Sequence, residues 1–120
     1  MIRSIRHFQD VHAHAASVAH WSQLYSQLTA GALESSLQQL SSDRCHVFRE
    51  RINQRVVQQG EAPGQRVCFA VPIAIPGTAR MQGRDADDNS LFFLRGGEEF
   101  MFHMPTGCLL YTSDAADDTP

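Results

Sequence analysis

The sequence predicts a mainly β domain (α+β) that begins with one helix. Apolar residues recur at three- and four-residue steps only near the N-terminus, which is a helical period. After Gly31 they alternate with polar residues in short runs separated by turns rich in Gly and Pro. Many short strands with such turns favour an antiparallel barrel or sandwich. A chain of 120 residues is long enough to form the core of one domain.

The predicted helix covers the stretch DVHAHAASVAHWSQLYSQL. Asp10 is a favourable N-cap, since its side chain can accept from the free backbone N–H groups of the first turn. Gly31 suits the left-handed position that often follows a helix. Because Trp21 and Tyr25 share one stripe with the smaller apolar residues, we expect this stripe to pack on a sheet.

The remaining elements are predicted as strands. In chain order they cover 33–40, 45–52, 55–59, 67–75, 78–82, 90–94 and 99–103. Pro72 predicts an edge position or a bulge, because proline cannot donate to a sheet. The last predicted strand is expected to leave an open edge that carries Phe100 and Phe102.

Composition and charge exclude several classes of function. The ten basic residues are all arginine and are scattered along the chain, so the sequence predicts no phosphate-binding patch and no DNA contact. No apolar run is long enough for a membrane span, and the start lacks the apolar core of a secretion signal. The cysteines form no CxxC pair, which together with these absences favours a cytoplasmic protein.

No metal site or catalytic residue is predicted. His12 and His14 stand two apart on the predicted helix, where their side chains diverge too far to share one metal. Cys68 lies in an apolar run without a basic neighbour, so an inert buried thiol is favoured over a nucleophile. No nucleophile elbow, P-loop or dinucleotide fingerprint occurs. The sequence therefore predicts a protein that is not an enzyme.

Three segments in a fixed order carry a resemblance to a known family. They are Trp21-x-x-x-Tyr25-x-Gln27-Leu28, then Phe48-Arg49-Glu50, and finally RGGEEFMFHMPTG. Over residues 8–107 the chain resembles the N-terminal sensor region of AraC-type bacterial transcription regulators, closest to the regulators of ethanolamine-utilisation operons. Residues 1–107 are accordingly predicted to be a partial sensor domain without the helix-turn-helix DNA-binding domain.

The resemblance implies an incomplete antiparallel cupin-like barrel that binds a small-molecule effector. Regulators of ethanolamine operons respond to ethanolamine and adenosylcobalamin, and AraC-type sensor regions often self-associate, which implies a homodimer. The alternative is a small cupin-fold enzyme, an isomerase or oxygenase. It is disfavoured because such enzymes generally hold a metal with clustered His and Glu on strands, and that cluster is missing from the sequence.

The ligand-binding residues are predicted on strand 45–52. His46, Phe48, Glu50 and Ile52 share one face, which is the more apolar face and the predicted interior. A buried carboxylate is costly without a cation, so Glu50 is the predicted partner of an amine effector such as ethanolamine. Trp21, Phe48 and Arg49 complete the predicted site. The alternative is that Glu50 pairs with an arginine, such as Arg51 or Arg55, and only supports the sheet.

The last thirteen residues, CLLYTSDAADDTP, differ in character from the rest of the chain. Residues 108–118 resemble the translation of a transposase sequencing adapter. Residues 108–120 are therefore predicted to be an artefactual tail without regular structure.

Overall fold

The protein folds into two antiparallel β-sheets packed on each other, with one short helix. The structure is a computed structural model and describes residues 1–116. Its elements are β1 (Ile2–Phe8), α1 (Val11–Ala16), β2 (Ser22–Gln27), β3 (Ser35–Ser41), β4 (Cys45–Ile52), β5 (Val56–Glu61), β6 (Arg66–Ala74), β7 (Ala79–Met81), β8 (Arg84–Ala86), β9 (Phe92–Arg95), β10 (Glu99–Met104) and β11 (Leu109–Ala116). The predicted fold class, mainly β with an N-terminal helix, is confirmed.

The two sheets enclose the apolar core. The six-stranded sheet has the order β1-β3-β4-β11-β6-β9, and the five-stranded sheet has the order β2-β5-β10-β7-β8. Alternate residues of each strand point inward, as the two-residue period of a strand requires. In β10, for example, Phe100, Phe102 and Met104 are buried, and the residues between them are exposed.

The predicted helix is only partly correct. α1 ends at Ala16, although Asp10 caps it as predicted by accepting from the backbone N–H of His12 at 2.9 Å. The chain then turns at His20, which has a φ of 74°, and residues 22–27 form β2 against β5. Pairing with β5 satisfies the backbone of this segment, so tertiary contacts override its helical pattern.

Seven strands were predicted close to their observed bounds, and β4 matches residue for residue. The prediction missed four strands: β1 and β8, β2, which it placed in the helix, and β11, which it placed in the tail. The expected open edge at β10 is wrong, because β10 pairs with β5 on one side and β7 on the other. Pro72 lies at a register shift in the pairing of β6 with β11, beyond the residues that pair with β9. A bulge, as predicted, accommodates its missing N–H.

The described part of the predicted tail is a central strand. β11 pairs with β4 along one side and β6 along the other, and it buries Leu110, Thr112 and Asp114. The expectation of an unstructured segment is therefore wrong for Leu109–Ala116, because both sides of this strand hydrogen-bond to neighbours. Residues 117–120 lie outside the described part of the chain.

None of the helices in residues 1–116 has the length and apolar character needed to cross a membrane.

Candidate functional site

The site centres on a buried carboxylate between the sheets. Glu50 of β4 is 2% exposed, and its Oε2 accepts from the Tyr25 hydroxyl at 2.6 Å. The same oxygen lies 2.9 Å from Nε2 of His14. The other ring nitrogen of His14, Nδ1, lies 2.7 Å from the hydroxyl of Ser35. We call these four side chains the Glu50 cluster.

Four different elements bring the Glu50 cluster together. α1 carries His14, which is fully buried beneath the helix, and β2 carries Tyr25, which is 1% exposed. β3 supplies Ser35 at its first residue. Because the cluster depends on a helix and three strands, its geometry forms only when both sheets are in place.

The hydroxyl of Tyr25 stays protonated and donates to Glu50. Burial raises the pKa of Tyr25 well above its ordinary value, and the charge of Glu50 and their hydrogen bond raise it further. Tyr25 is thus a fixed donor, which holds the carboxylate in one orientation.

A small cavity adjoins Glu50. Its apolar lining comes from Ile52, Val56, Met104, Pro105, Cys108 and Leu110, and Gln58 adds a second polar side chain. The cavity volume is about 10 Å³, which is the space of a single water. Both hydrogen bonds to Glu50 end on Oε2, so neither of them occupies Oε1.

Gln58 is the second polar group of this cavity. The residue is buried, with 4% of its surface exposed. Gln58 and Glu50 are therefore the two polar side chains that a ligand in this cavity would meet.

A second buried polar cluster lies around Asp114 of β11. Oδ2 of Asp114 accepts from Nε1 of Trp21 at 3.0 Å and lies 2.9 Å from Nδ1 of His46, and Oδ1 accepts from Arg66 at 2.8 Å. Nε2 of His46 lies 2.9 Å from Oε1 of Gln39. Burial alone would raise the pKa of Asp114, but the hydrogen bonds and charges of His46 and Arg66, with the Trp21 bond, lower it.

The structure separates the predicted ligand-binding residues. Glu50 and Phe48 point inward as predicted, and Trp21 contacts Phe48 with ring centroids 5.7 Å apart. Phe48 and Trp21 lie beside the Asp114 cluster, however, and do not line the Glu50 cavity. Arg49 points outward and donates to Gln38, because neighbouring strand residues face opposite sides.

The arginine partner that the alternative gives to Glu50 is wrong. The hydrogen-bond partners of Glu50 are Tyr25 and His14. Sequence reasoning missed both partners and also Gln58. The sequence analysis places Tyr25 within the long helix and predicts no metal site at His14. Gln58 could have been found from the period of β5, since it lies two residues after the buried Val56.

Burial keeps the thiols of Cys68 and Cys108 in the neutral form. Burial raises the pKa of the Cys68 thiol to about 12, and burial likewise raises that of Cys108 to about 12. A neutral thiol is a poor nucleophile. Within residues 1–116, His, Cys, Asp and Glu form no group of three or more that could hold a metal ion.

Comparison with known proteins relates the chain to others by structure alone. No family model matches the sequence, and no curated protein matches it. Among solved structures, the Cupin_2 domain of an XRE-family transcriptional regulator from Enterobacter cloacae superposes with a TM-score of 0.55 at 10% identity. That match covers 68% of this chain and 95% of the other.

Two further structures show the same fold. The EutQ protein of Clostridium difficile has a TM-score of 0.53 at 14% identity, and the match covers 78% of each chain. An RmlC-like cupin from Shewanella frigidimarina has a TM-score of 0.54 at 12% identity, and the match covers 77% of this chain and 83% of that one. The chain is a cupin-fold domain.

Proposed function

We propose that this cupin-fold domain is the effector-sensing part of a bacterial AraC-type transcription regulator, and that its effector is a small amine bound at Glu50. The observation that carries the proposal is that Glu50 and Gln58 both line one cavity between the sheets. A regulator from Enterobacter cloacae contains a domain of this fold, which supports a regulatory role. The resemblance of residues 8–107 to ethanolamine-operon regulators suggests ethanolamine as the amine.

The charge of the Glu50 cluster favours a cationic ligand. With a neutral imidazole, Nε2–H of His14 donates to Glu50, and the Ser35 hydroxyl donates to Nδ1. The cluster then keeps the negative charge of the carboxylate in a low-dielectric interior, where an uncompensated charge is costly. An ammonium group at Oε1 would neutralise that charge and add a charge-assisted hydrogen bond.

Ligand binding requires the cavity to expand. A volume of about 10 Å³ holds one water and not an amine with a carbon chain. Met104 lines the cavity, and its unbranched side chain changes shape at little cost. Repacking of Met104 would admit the carbon chain, with the ammonium group in the existing cavity. A corrinoid is far larger than this cavity, so any response to adenosylcobalamin would require another surface.

Calorimetric titration of the chain with ethanolamine tests the amine site, with ethylene glycol as the neutral ligand of matched size. We expect ethanolamine alone to bind and to raise the melting temperature. Replacing Glu50→Gln should weaken ethanolamine binding roughly tenfold or more, since a charged hydrogen bond is lost. Gln58→Met should weaken binding while leaving the Glu50 cluster intact.

Glu61→Gln is the matched control, because Glu61 is an exposed carboxylate on β5. Equal binding of ethylene glycol, or an unchanged affinity in Glu50→Gln, would disprove the amine site. The AraC assignment has a separate test, which is to sequence the gene beyond the codon for Gly107. A helix-turn-helix coding region in the same frame is expected, and an unrelated domain there would contradict the assignment.

A further inference from the structure

The outer face of the six-stranded sheet combines arginines with exposed aromatic rings. Strand register places Arg3, Arg49, Arg51 and Arg95 on this face, and all four are exposed. The rings of Phe69, Phe93 and Tyr111 lie on the same face and are 40%, 48% and 40% exposed. Arginines that are scattered in the sequence are thus gathered by the fold. We call this surface the arginine face.

The arginine face has no acidic side chain on its strands. The six strands contain only two carboxylates, Glu50 and Asp114, and both are buried on the inner side. On the outer side of the five-stranded sheet, in contrast, Glu61 and Glu99 stand opposite each other on β5 and β10. The protein is therefore electrically asymmetric, with positive charge on one outer face although its net charge is −3.

A groove of about 340 Å³ lies on the arginine face around Arg49. Its walls include Arg3, Gln38 and Tyr111, with apolar contributions from Ile5 and Leu40. The groove thus offers two cationic groups, an amide and an aromatic ring to one ligand. An anionic ligand with flat, unsaturated rings would meet all of these groups.

We propose that the arginine face binds single-stranded nucleic acid. Arginines neutralise phosphates, and exposed rings on a sheet stack with unpaired bases. The same chemistry extends across the sheet outside the groove, through Arg51, Arg95 and the two phenylalanines. This extent favours a nucleic-acid strand of several nucleotides over a single nucleotide. Arg49 lies on β4, a central strand of the sheet. If two copies of the protein docked through their arginine faces, like charges would therefore oppose each other.

Fluorescence polarisation with a labelled oligothymidylate tests the proposal on the whole chain. The logarithm of the binding constant should fall with the logarithm of salt concentration with a slope between about −2 and −3, as expected for three or four neutralised phosphates. Phe93→Ala should weaken binding by about fivefold or more through lost stacking. Arg49→Gln should reduce the salt slope by about one phosphate's share.

Met101→Ala and Arg80→Gln are the matched controls, because both residues are exposed on the outer side of the five-stranded sheet. Circular dichroism spectra should show that all four variants fold. Binding weaker than about 100 µM at low salt, the weak limit for non-specific contacts, would overturn the proposal. Equal losses in the control variants, equal binding of duplex DNA, or full competition by thymidine monophosphate would also overturn it. The proposal would also be overturned if the chain bound no oligonucleotide but formed a dimer that Phe93→Ala abolishes.

Discussion

The two buried carboxylates of the six-stranded sheet are stabilised in different ways. Asp114 is surrounded by donors, with Trp21, His46 and Arg66 directed at its two oxygens. Glu50 has partners on one oxygen only, and that difference is what marks it as a candidate binding group. Donors on both oxygens indicate a structural role for Asp114, whereas the cavity beside Glu50 gives its carboxylate room for a ligand.

The stability of the protein should depend on Asp114 in acid. Its pKa is lowered in the folded state, so its contribution is complete above the unfolded value of about 3.9 and is lost as pH falls through the folded value. Melting temperatures measured between pH 7 and pH 3 should therefore fall less steeply in acid for Asp114→Asn than for the natural chain.

Asp85→Asn is the control for this measurement, because Asp85 is exposed and its ion pair with Arg80 is long, at 3.7 Å. The melting temperature of Asp85→Asn should change with pH in the same way as that of the natural chain. Parallel curves for Asp114→Asn and the natural chain would show that Asp114 does not carry the acid sensitivity.

At the level of single residues, the two-residue alternation along the strands was the most informative pattern in the sequence. It placed His46, Phe48, Glu50 and Ile52 on the inner face, and all four are buried. It could not identify the partners of Glu50, because Tyr25 and His14 come from elements distant in the sequence. Period also assigns Arg49 to the outer face, so its prediction as a pocket residue next to Glu50 was inconsistent with strand geometry.

Among the elements, β2 and β5 approach each other unusually closely at Gly60. A Cβ atom on Gly60 would lie 2.1 Å from the carbonyl oxygen of Ser22 and 2.7 Å from Cα of Gln23. Both neighbours are backbone atoms, so they cannot move without shifting β2. We expect Gly60→Ala to lower the free energy of unfolding by about 1–3 kcal/mol, measured by urea denaturation.

Gly64→Ala is the comparison for Gly60, because a Cβ on Gly64 would meet nothing within 4 Å. This variant should unfold at nearly the same urea concentration as the natural chain. If Gly60→Ala were equally harmless, the close pairing of β2 with β5 would be wrong.

The elements show where sequence patterns fail. β4 was predicted well because its alternation is regular and its inner face is apolar. Residues 22–27 match a helical period as well as a strand period, and only the pairing with β5 decides between them. β1 has few apolar residues and a largely exposed pattern, so it forms as an edge strand through its pairing with β3.

At the scale of the whole molecule, β11 joins the two halves of the six-stranded sheet. β1, β3 and β4 lie on one side of it, and β6 and β9 lie on the other. A chain ending at Gly107 would leave β4 and β6 without their shared neighbour. We therefore expect residues 1–116 to show a cooperative thermal transition by circular dichroism, and residues 1–107 to lack it and to associate through the freed edges.

The opposite result would have a clear meaning. If residues 1–107 melted cooperatively at the temperature of residues 1–116, β11 would not belong to the stable sheet. The prediction of a tail without regular structure, based on the resemblance to adapter sequence, would then hold. Light scattering on the same samples measures the association.

The position of β11 also constrains how the molecule is made. The hairpin of β3 and β4 can form as soon as it leaves the ribosome, but its outer edge waits for a strand synthesised more than fifty residues later. Such distant pairing raises the contact order and slows folding, because a long loop must close before its contacts are gained. During that interval the unpaired edges of β4 and β6 are exposed together, and this nascent state is the one most in need of chaperone protection.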